Sequence, residues 1–143
     1  MYAVIRIRGT VNISPNISKT LEHLNLRRIN NMSLWKDEPQ MLRMIKTVED
    51  YVAFGEINDE TLKEVISKKG KPIDNTQKFD LKKAVEEIKK GKTLNQAGVT
   101  NCFRMSPPRG GFERNGVKKS FKMGGAAGNR KEKINELIMR MMQ

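Results

Sequence analysis

The side chains that most often carry catalytic or metal chemistry are scarce in this chain. It holds one cysteine, Cys102, and one histidine, His23, and neither has a visible catalytic partner in the sequence. A lone cysteine cannot form an internal disulfide, and these two residues cannot by themselves supply the ligands of a zinc site. We therefore predict no catalytic residue, no metal and no cofactor. We interpret Cys102 as a half-buried structural thiol and His23 as an ordinary helix-surface or core-edge histidine.

One short pattern resembles a loop that binds nucleotide phosphates. Gly111-Phe-Glu-Arg-Asn-Gly116 matches G-x-x-x-x-G, but Val117-Lys118 follow where that loop needs Lys and then Ser or Thr. Such a loop also comes after a buried strand, whereas this one follows Pro107-Pro108. The sequence thus disfavours nucleotide hydrolysis, and we predict that the protein is not an enzyme and has no small-molecule substrate. A disordered tail is a stronger alternative, although an apolar helix is predicted after this region.

Positive charge is concentrated in the second half of the chain. The 143 residues include 28 Lys and Arg against 16 Asp and Glu, and the net charge of +12 favours a polyanionic partner. Residues 1–70 hold eleven basic and nine acidic residues, whereas residues 71–143 hold seventeen and seven. From Arg104 to Lys131, eight basic residues stand against one acid, Glu113. We expect this Gly- and Pro-rich segment to be irregular, and extended until phosphates neutralise its charge.

If the polyanion is RNA, arginine and lysine side chains bind its phosphates, and arginine also stacks on bases. The candidate RNA-binding residues are Arg6, Arg8, Arg27, Arg28, Arg104, Arg109, Gly110, Gly111, Arg114, Lys118, Lys119, Lys122, Arg130 and Lys131. The two glycines are included because a backbone without a side chain can pass close to a phosphate surface. Phe112 and Phe121 could either stack on an unpaired base or pack back onto the domain. For Trp35 the sequence leaves two alternatives, packing in the protein or contact with a partner.

The first half of the sequence predicts an α+β fold that would position the candidate RNA-binding residues. The expected elements are a strand at 2–8, a helix from Ser14-Pro15 to about Leu26, a strand at 29–35, a helix after Pro39 with Met41, Ile45, Val48 and Val52 on one stripe, and a strand at 52–57. In the first strand Ile5 and Ile7 face the core, and Arg6 and Arg8 share the exposed face. The order β-α-β-α-β favours an antiparallel sheet with both helices on one face.

The second half predicts additional helices and then the basic extension. A helix follows Asn58 and ends at Gly70, a polar linker occupies 71–78, and another helix begins after Asp80 and ends before Gly91. Residues 99–105 could form one more strand, and 129–142 has the apolar spacing of an amphipathic helix. We divide the chain into a core at 1–57, additional helices at 58–98, and a basic RNA-binding extension at 99–143 that a C-terminal helix closes.

Several longer motifs resemble one protein family. They are Ile5-Arg-Ile-Arg-Gly9, Thr20-Leu-Glu-His-Leu-Asn-Leu26, Met44-Ile-Lys-Thr-Val-Glu-Asp-Tyr-Val52 with Phe54-Gly-Glu56, Phe103-Arg-Met-Ser-Pro-Pro-Arg-Gly-Gly111 and Gly124-Gly-Ala-Ala-Gly-Asn-Arg130. Together they resemble the large-subunit ribosomal protein L-thirty family, in the longer archaeal form that is related to the eukaryotic protein L-seven. Arg43 departs from the family pattern, which has a small residue, often glycine, before Met44.

The resemblance implies a ferredoxin-like core of three antiparallel strands and two helices, extended by further helices and a basic C-terminal region. It implies a structural role in the large ribosomal subunit, with binding to the large ribosomal RNA, the 5S RNA nearby, and neighbouring ribosomal proteins as partners. The residues alone reach only a polyanion-binding domain, so a general nucleic-acid-binding or DNA-compacting protein is the alternative. No apolar run approaches the roughly 20 residues that span a membrane, and we expect a cytoplasmic protein with no membrane partner.

Overall fold

A computed structural model describes residues 1–74 and 80–143 of the chain, so residues 75–78 of the predicted linker lie outside the described part. The elements are β1 (Tyr2–Arg6), α1 (Pro15–His23), β2 (Asn31–Trp35), α2 (Pro39–Thr47), β3 (Val52–Glu56), α3 (Asp59–Lys69), α4 (Leu81–Lys89), β4 (Phe103–Arg104), β5 (Gly128–Asn129) and α5 (Ile134–Met142). Short 3-10 turns occupy Phe121–Met123 and Lys131–Lys133. The predicted order of strands and helices is confirmed, except that β5 was not predicted.

Local signals explain where the helices begin and end. The Ser14 hydroxyl accepts a hydrogen bond from the Ile17 amide at 3.4 Å, and the Asp80 carboxylate accepts one from the Lys82 amide at 3.1 Å. α1 ends at His23, before the predicted Leu26, because Asn25 takes a left-handed conformation with φ of 61°. The Leu26 amide then donates to the Leu21 carbonyl at 2.8 Å, which closes the helix with a Schellman-type turn.

The sheet has the strand order β4-β2-β1-β3-β5. β1 lies at the centre and is antiparallel to both β2 and β3, with Val4 opposite Ser33 on one side and Phe54 on the other. β4 is antiparallel to β2, whereas β5 is parallel to β3 and is absent from the sequence prediction. The sheet and its helices confirm the predicted α+β, ferredoxin-like fold.

The strand predicted at 99–105 is regular only at Phe103–Arg104. Before Phe103, the side chain of Asn101 takes the place of backbone hydrogen bonds between the two strands. Its side-chain amide donates to the Leu34 carbonyl at 2.9 Å, and its oxygen accepts from the Leu34 amide at 2.8 Å. A side chain therefore satisfies the backbone groups of β2 that a longer strand would have paired with, and regular strand pairing is confined to the two residues of β4.

Helices cover both faces of the sheet. Val4, Val52 and Phe54 pack with residues of α1 and α2 on one face. Ala3, Ile5 and Ile7 pack with α3, α4 and α5 on the other face. The prediction that Arg6 lies on an exposed face is therefore wrong, because every residue from Ala3 to Ile7 is buried. Val52, which was placed on the stripe of the second helix, belongs to β3, because α2 ends at Thr47.

The C-terminal helix α5 completes the second core face. Its apolar residues Ile134, Leu137, Ile138 and Met141 are all fully buried, as the spacing predicted. α5 approaches β3 closely at Gly55, where an added Cβ atom would lie 2.2 Å from the Lys131 carbonyl oxygen and 2.9 Å from Ile134. Glycine is required at this position because a side chain would collide with the backbone of the turn that leads into α5. Within the described ranges, none of the helices is long and apolar enough to cross a membrane.

Candidate nucleic-acid interface

The segment from Arg104 to Lys131 folds back onto the core. The Phe121 amide donates to the Ala127 carbonyl at 2.7 Å, the Ala126 amide to the Gly116 carbonyl at 3.0 Å, and the Arg130 amide to the Phe54 carbonyl at 2.8 Å. Ala126 and Ala127 are buried in the core that α5 completes. The expectation of an extended segment is therefore wrong for this chain, because backbone hydrogen bonds and small buried side chains hold it in place.

Arg130 is the main internal anchor of the segment. Its side chain is only 2% exposed, and its Nη1 atom donates to the Glu113 carboxylate at 2.9 Å. Its Nε and Nη2 atoms both lie 3.3 Å from the Ala126 carbonyl oxygen, to which they donate. Burial lowers the pKa of Arg130, and the hydrogen bond and charge of Glu113 oppose that change. Arg130 was predicted as an RNA contact, but its burial and bonds give it an internal positioning role.

The exposed cations of the segment have almost no acid beside them in the sequence. Glu113 is the one acid between residues 104 and 131, and it also accepts from Arg140 Nη2 at 3.4 Å. The remaining cations, which we call the segment cations, are Arg104, Arg109, Arg114, Lys118, Lys119, Lys122 and Lys131, and all are exposed. Within residues 1–74 and 80–143, none of the segment cations forms an ion pair.

Four lysines of α3, α4 and the turn after α4 differ from the segment cations, because each has a carboxylate partner. Lys68 pairs with Glu64 at 3.6 Å, Lys83 with Asp80 at 3.9 Å, Lys89 with Asp59 at 3.1 Å and Lys92 with Glu87 at 3.5 Å. Carboxylates on the protein thus partly neutralise these lysines. Other exposed lysines of this region, such as Lys63 and Lys90, form no ion pair in the described residues either. What distinguishes the C-terminal segment is that its seven unpaired cations stand beside a single acid, Glu113, which makes it a favourable surface for a polyanion.

Gly110 and Gly111 form the tip of a turn at the start of the segment. Both have φ of +77°, a left-handed conformation that favours glycine, and both are exposed. The turn is tied to α5, because the Arg109 amide donates to the Arg140 carbonyl at 3.3 Å and Arg140 Nη1 donates to the Gly111 carbonyl at 3.1 Å. Arg109 therefore projects from a fixed turn rather than from a free loop.

A second group of predicted residues meets at the edge of the sheet. Arg27 and Arg28, from the turn after α1, border a hollow of about 340 Å³ together with Arg104 of β4, and we call this the arginine hollow. All three arginines are exposed. Cys102 also lines the hollow. It is a half-buried thiol, as predicted, and its sulfur accepts a hydrogen bond from the side-chain Nδ2 of Asn31 at 3.6 Å. Residues far apart in the sequence thus form one cationic hollow.

Arg6 supports the arginine hollow from inside the protein. Its Nη1 atom donates to the carbonyls of Leu26 and Arg27, both at 2.9 Å, and its Nε atom donates to the Arg8 carbonyl at 2.9 Å. Its exposure is 2%, and burial lowers its pKa. Arg6 was predicted as an RNA contact, but the structure makes it a positioning residue for the turn that carries Arg27 and Arg28. Arg8 is half-buried, with its guanidinium 4.7 Å from the centre of the Tyr51 ring.

The structure also settles how the three aromatic residues pack in this chain. Phe112 packs against the core. Trp35 is half-buried, and its Nε1 atom donates to the Ser33 hydroxyl at 2.9 Å. Phe121 is half-buried beside Arg130, whose guanidinium carbon lies 4.9 Å from the ring centre. Phe121 keeps an open side, which borders a hollow of about 410 Å³.

The hollow beside Phe121 brings together residues that sequence reasoning did not connect. Lys46 comes from the end of α2 and Glu49 from the turn after it, and four further lining residues come from the C-terminal segment: Phe121, Lys122, Asn129 and Lys131. We call this the Phe121 hollow. Lys46 and Glu49 were missed because nothing in their local sequence connects them with Phe121, which is more than 70 residues away. Only the parallel pairing of β3 with β5 brings the two parts of the chain together.

The remaining residues that the sequence analysis singled out are His23 and Arg43. His23 is exposed at the end of α1 and Arg43 is exposed on α2, so the departure at Arg43 does not alter the packing of the core. Across 1–74 and 80–143, no group of three His, Cys, Asp or Glu side chains could hold a metal ion.

Fold and surface together define a class: a small ferredoxin-like α+β protein that presents unpaired cations on one folded segment. Residues 2–52 match the family model described as ribosomal protein L30p/L7e. The chain is 38% identical to the large ribosomal subunit protein uL30 of Methanococcus maripaludis, with 99% of each chain covered. It is 39% identical to that of Aeropyrum pernix, again over 99% of each chain, and 38% identical to that of Nanoarchaeum equitans, over 98% of this chain and 97% of the relative.

This chain therefore belongs to the uL30 family of large ribosomal subunit proteins. Members of the family are structural proteins, so the predictions of a ribosomal protein and of a protein that is not an enzyme are confirmed. The predicted location in the large subunit of the cytoplasmic ribosome is confirmed in the same way.

Proposed function

We propose that this ribosomal protein binds the large ribosomal RNA through the segment cations and the arginine hollow, and thereby stabilises RNA packing in the large subunit. The observation that carries the proposal is the contrast in pairing. Four lysines around α3 and α4 have carboxylate partners, whereas in the described residues the segment cations have none and stand beside one acid, Glu113. Phosphates are the groups that would neutralise them in an RNA complex.

The expected mechanism is electrostatic. Each lysine or arginine that neutralises a phosphate releases counterions, so affinity depends on salt concentration. The three arginines of the arginine hollow can grip phosphates bidentately, because the guanidinium has a planar fork of donors. Such contacts position the protein without reading sequence, and specificity then comes from RNA shape and from a few splayed bases.

The finer assignment of partners is part of the same proposal. We infer that the 5S RNA lies nearby and that other ribosomal proteins are neighbours, and the family resemblance is what supports this. The division into a core at 1–57, additional helices at 58–98 and an RNA-binding extension at 99–143 belongs to the proposal as well. The shared apolar core implies that the extension binds RNA as a rigid part of the folded domain and not as a free tail.

The test compares two variants that lose the same number of positive charges. The first is R109A/R114A/K118A/K119A, all in the segment, and the control is K68A/K83A/K89A/K92A, around α3 and α4. We expect the first variant to bind a large-subunit rRNA fragment more weakly and with a smaller salt dependence than the control. Because each phosphate contact contributes roughly 0.7–0.9 to the slope of log affinity against log salt, four contacts change it by about 3.

Two outcomes would contradict the proposal. If both variants lose the same affinity, only net charge matters and the segment is not a defined binding surface. If the wild type binds duplex DNA as well as folded rRNA in a competition assay, the alternative of a general nucleic-acid-binding protein is favoured instead. We expect rRNA to win the competition, because the cations are held on a fixed surface that matches one RNA shape.

A further inference from the structure

The Phe121 hollow has the size and the composition of a site for one nucleotide unit. Its volume of about 410 Å³ falls within the range of roughly 300–1,000 Å³ that is usual for small-ligand sites. Phe121 and the small residues Ala127 and Gly128 supply an apolar wall, and Lys46, Lys122 and Lys131 supply positive charge. A nucleotide of RNA fits both features, because its base can lie against the apolar wall and its flanking phosphates can contact the lysines.

Phe121 is held in place before any ligand arrives. Its amide donates to the Ala127 carbonyl at 2.7 Å. Its ring has the Arg130 guanidinium carbon at 4.9 Å and the Lys133 Nζ atom at 5.7 Å from the ring centre. Arg130 is itself fixed by Glu113 at 2.9 Å. A ring that is already ordered loses little side-chain entropy when a base stacks on it, and this favours binding.

Two polar side chains at the hollow have opposite hydrogen-bonding character. Glu49 is an exposed carboxylate, hence an acceptor, and in the described part of the chain it forms no ion pair. The oxygen of Asn129 accepts from the Lys131 amide at 2.8 Å, which leaves its NH2 group as the donor. A carboxylate beside RNA repels phosphates, and hydrogen bonds accepted from N–H groups of a base can offset that repulsion.

We propose that the Phe121 hollow binds one unstacked guanine of RNA, with Glu49 and Asn129 as the residues that read it. Guanine is the base whose Watson–Crick edge presents two adjacent N–H donors, for the Glu49 carboxylate, beside the O6 acceptor, for the Asn129 NH2 group. Phe121 stacks on the base, and Lys46, Lys122 and Lys131 neutralise the flanking phosphates. The inference rests on the proposed binding to RNA and assigns to it a base-specific contact.

The test uses single-stranded RNA of nine uridines in which the central nucleotide is replaced by guanosine, inosine or adenosine. We expect the wild-type protein to bind the guanosine RNA roughly tenfold more tightly than the adenosine RNA, with the inosine RNA between them because it lacks the 2-amino donor. Glu49→Gln should remove most of this preference. Phe121→Leu should weaken binding to all three RNAs about tenfold, whereas the control Phe112→Leu, a half-buried aromatic outside the hollow, should leave the preference unchanged.

Several results would overturn the inference. Equal binding of the three RNAs, or no binding of any, excludes a guanine site, and equal behaviour of Phe121→Leu and Phe112→Leu excludes stacking on Phe121. Free guanosine monophosphate is a further probe, and if it binds as tightly as the guanosine RNA, the ligand is a nucleotide and not RNA. Glu49 is exposed, so Glu49→Gln tests the site even if Phe121→Leu fails to fold.

The outcome can be separated from that of the proposed function. If the quadruple variant of the segment loses rRNA affinity but the oligonucleotides show no base preference, RNA binding holds and only the guanine site fails. If the base preference is present but the quadruple variant matches its control, the guanine site holds and the segment surface fails.

Discussion

Glu113 and the buried Arg130 form an ion pair, with 2.9 Å between Glu113 Oε1 and Arg130 Nη1, that anchors the basic segment to the core. Arg140 of α5 joins the same carboxylate oxygen at 3.4 Å. The one acid of the segment is thus placed to fix its fold, and its neighbouring cations remain available to a partner. Removing Glu113 would leave the guanidinium of Arg130 buried without its counter-charge.

Glu113→Gln is expected to destabilise the protein by about 2 kcal/mol. Breaking a fully buried pair costs roughly 3–5 kcal/mol, and the partial exposure of Glu113 reduces that figure. The measurement is urea unfolding at neutral pH. Glu136→Gln is the control, because Glu136 is an exposed acid on α5 that forms no ion pair in the described residues. Equal stability of the two variants would show that Glu113 does not anchor the segment.

Gly55→Ala is expected to reduce the free energy of unfolding by roughly 1–3 kcal/mol, the usual cost of overpacking. The added Cβ would lie 2.2 Å from the Lys131 carbonyl oxygen, and backbone atoms cannot move aside as a flexible side chain can. Gly9→Ala is a matched control, since an added Cβ there meets nothing within 4 Å. Thermal unfolding of both variants tests the prediction, and a loss at Gly55 no larger than that at Gly9 would refute it.

Arg6→Met is expected to cost about 1–3 kcal/mol of stability. The substitution keeps a long apolar side chain but leaves the carbonyls of Leu26 and Arg27 without their donor. Arg28→Met should have little effect on stability, because Arg28 is exposed. Chemical denaturation of the two variants separates a positioning arginine from a surface arginine. The prediction fails if both variants unfold at the same denaturant concentration.

The triple variant R27M/R28M/R104M is expected to weaken binding to the rRNA fragment while leaving the unfolding temperature nearly unchanged. The three arginines border the arginine hollow and are exposed, so their loss removes phosphate contacts but little packing. The salt dependence of binding should fall by about 2–3 units of slope. Unchanged slope and affinity, with a folded protein, would show that the arginine hollow does not touch RNA.

Much of the fold could be predicted from the sequence because its signals are local. Ser14 and Asp80 mark helix starts by capping chemistry, and the spacing of Ile134, Leu137 and Ile138 marks the buried side of α5. The predicted ends of the elements were less accurate where they depend on contacts with residues far away in the sequence. The strand at 99–105 is shorter than expected because Asn101 bonds to Leu34, 67 residues away in the sequence.

The candidate site was predicted only in part. The sequence located the unpaired charge, since seven of the predicted arginines and lysines are the segment cations and two more, Arg27 and Arg28, lie in the arginine hollow. It could not separate them from Arg6 and Arg130, because residue type does not reveal burial. It also gave no reason to place Lys46 and Glu49 beside Phe121, since that neighbourhood depends on the pairing of β3 with β5.

The sequence by itself determined the order of elements, the family and the excess of positive charge, because these follow from residue spacing, motifs and composition. The tertiary structure decided which cations are exposed and which support the protein from inside. The physical reason is that burying a charged side chain is costly unless polar groups bind it. Carbonyl oxygens bind Nη1 and Nε of Arg6, and the Glu113 carboxylate binds Arg130. Most of those groups come from distant parts of the chain, and only the folded arrangement brings them together.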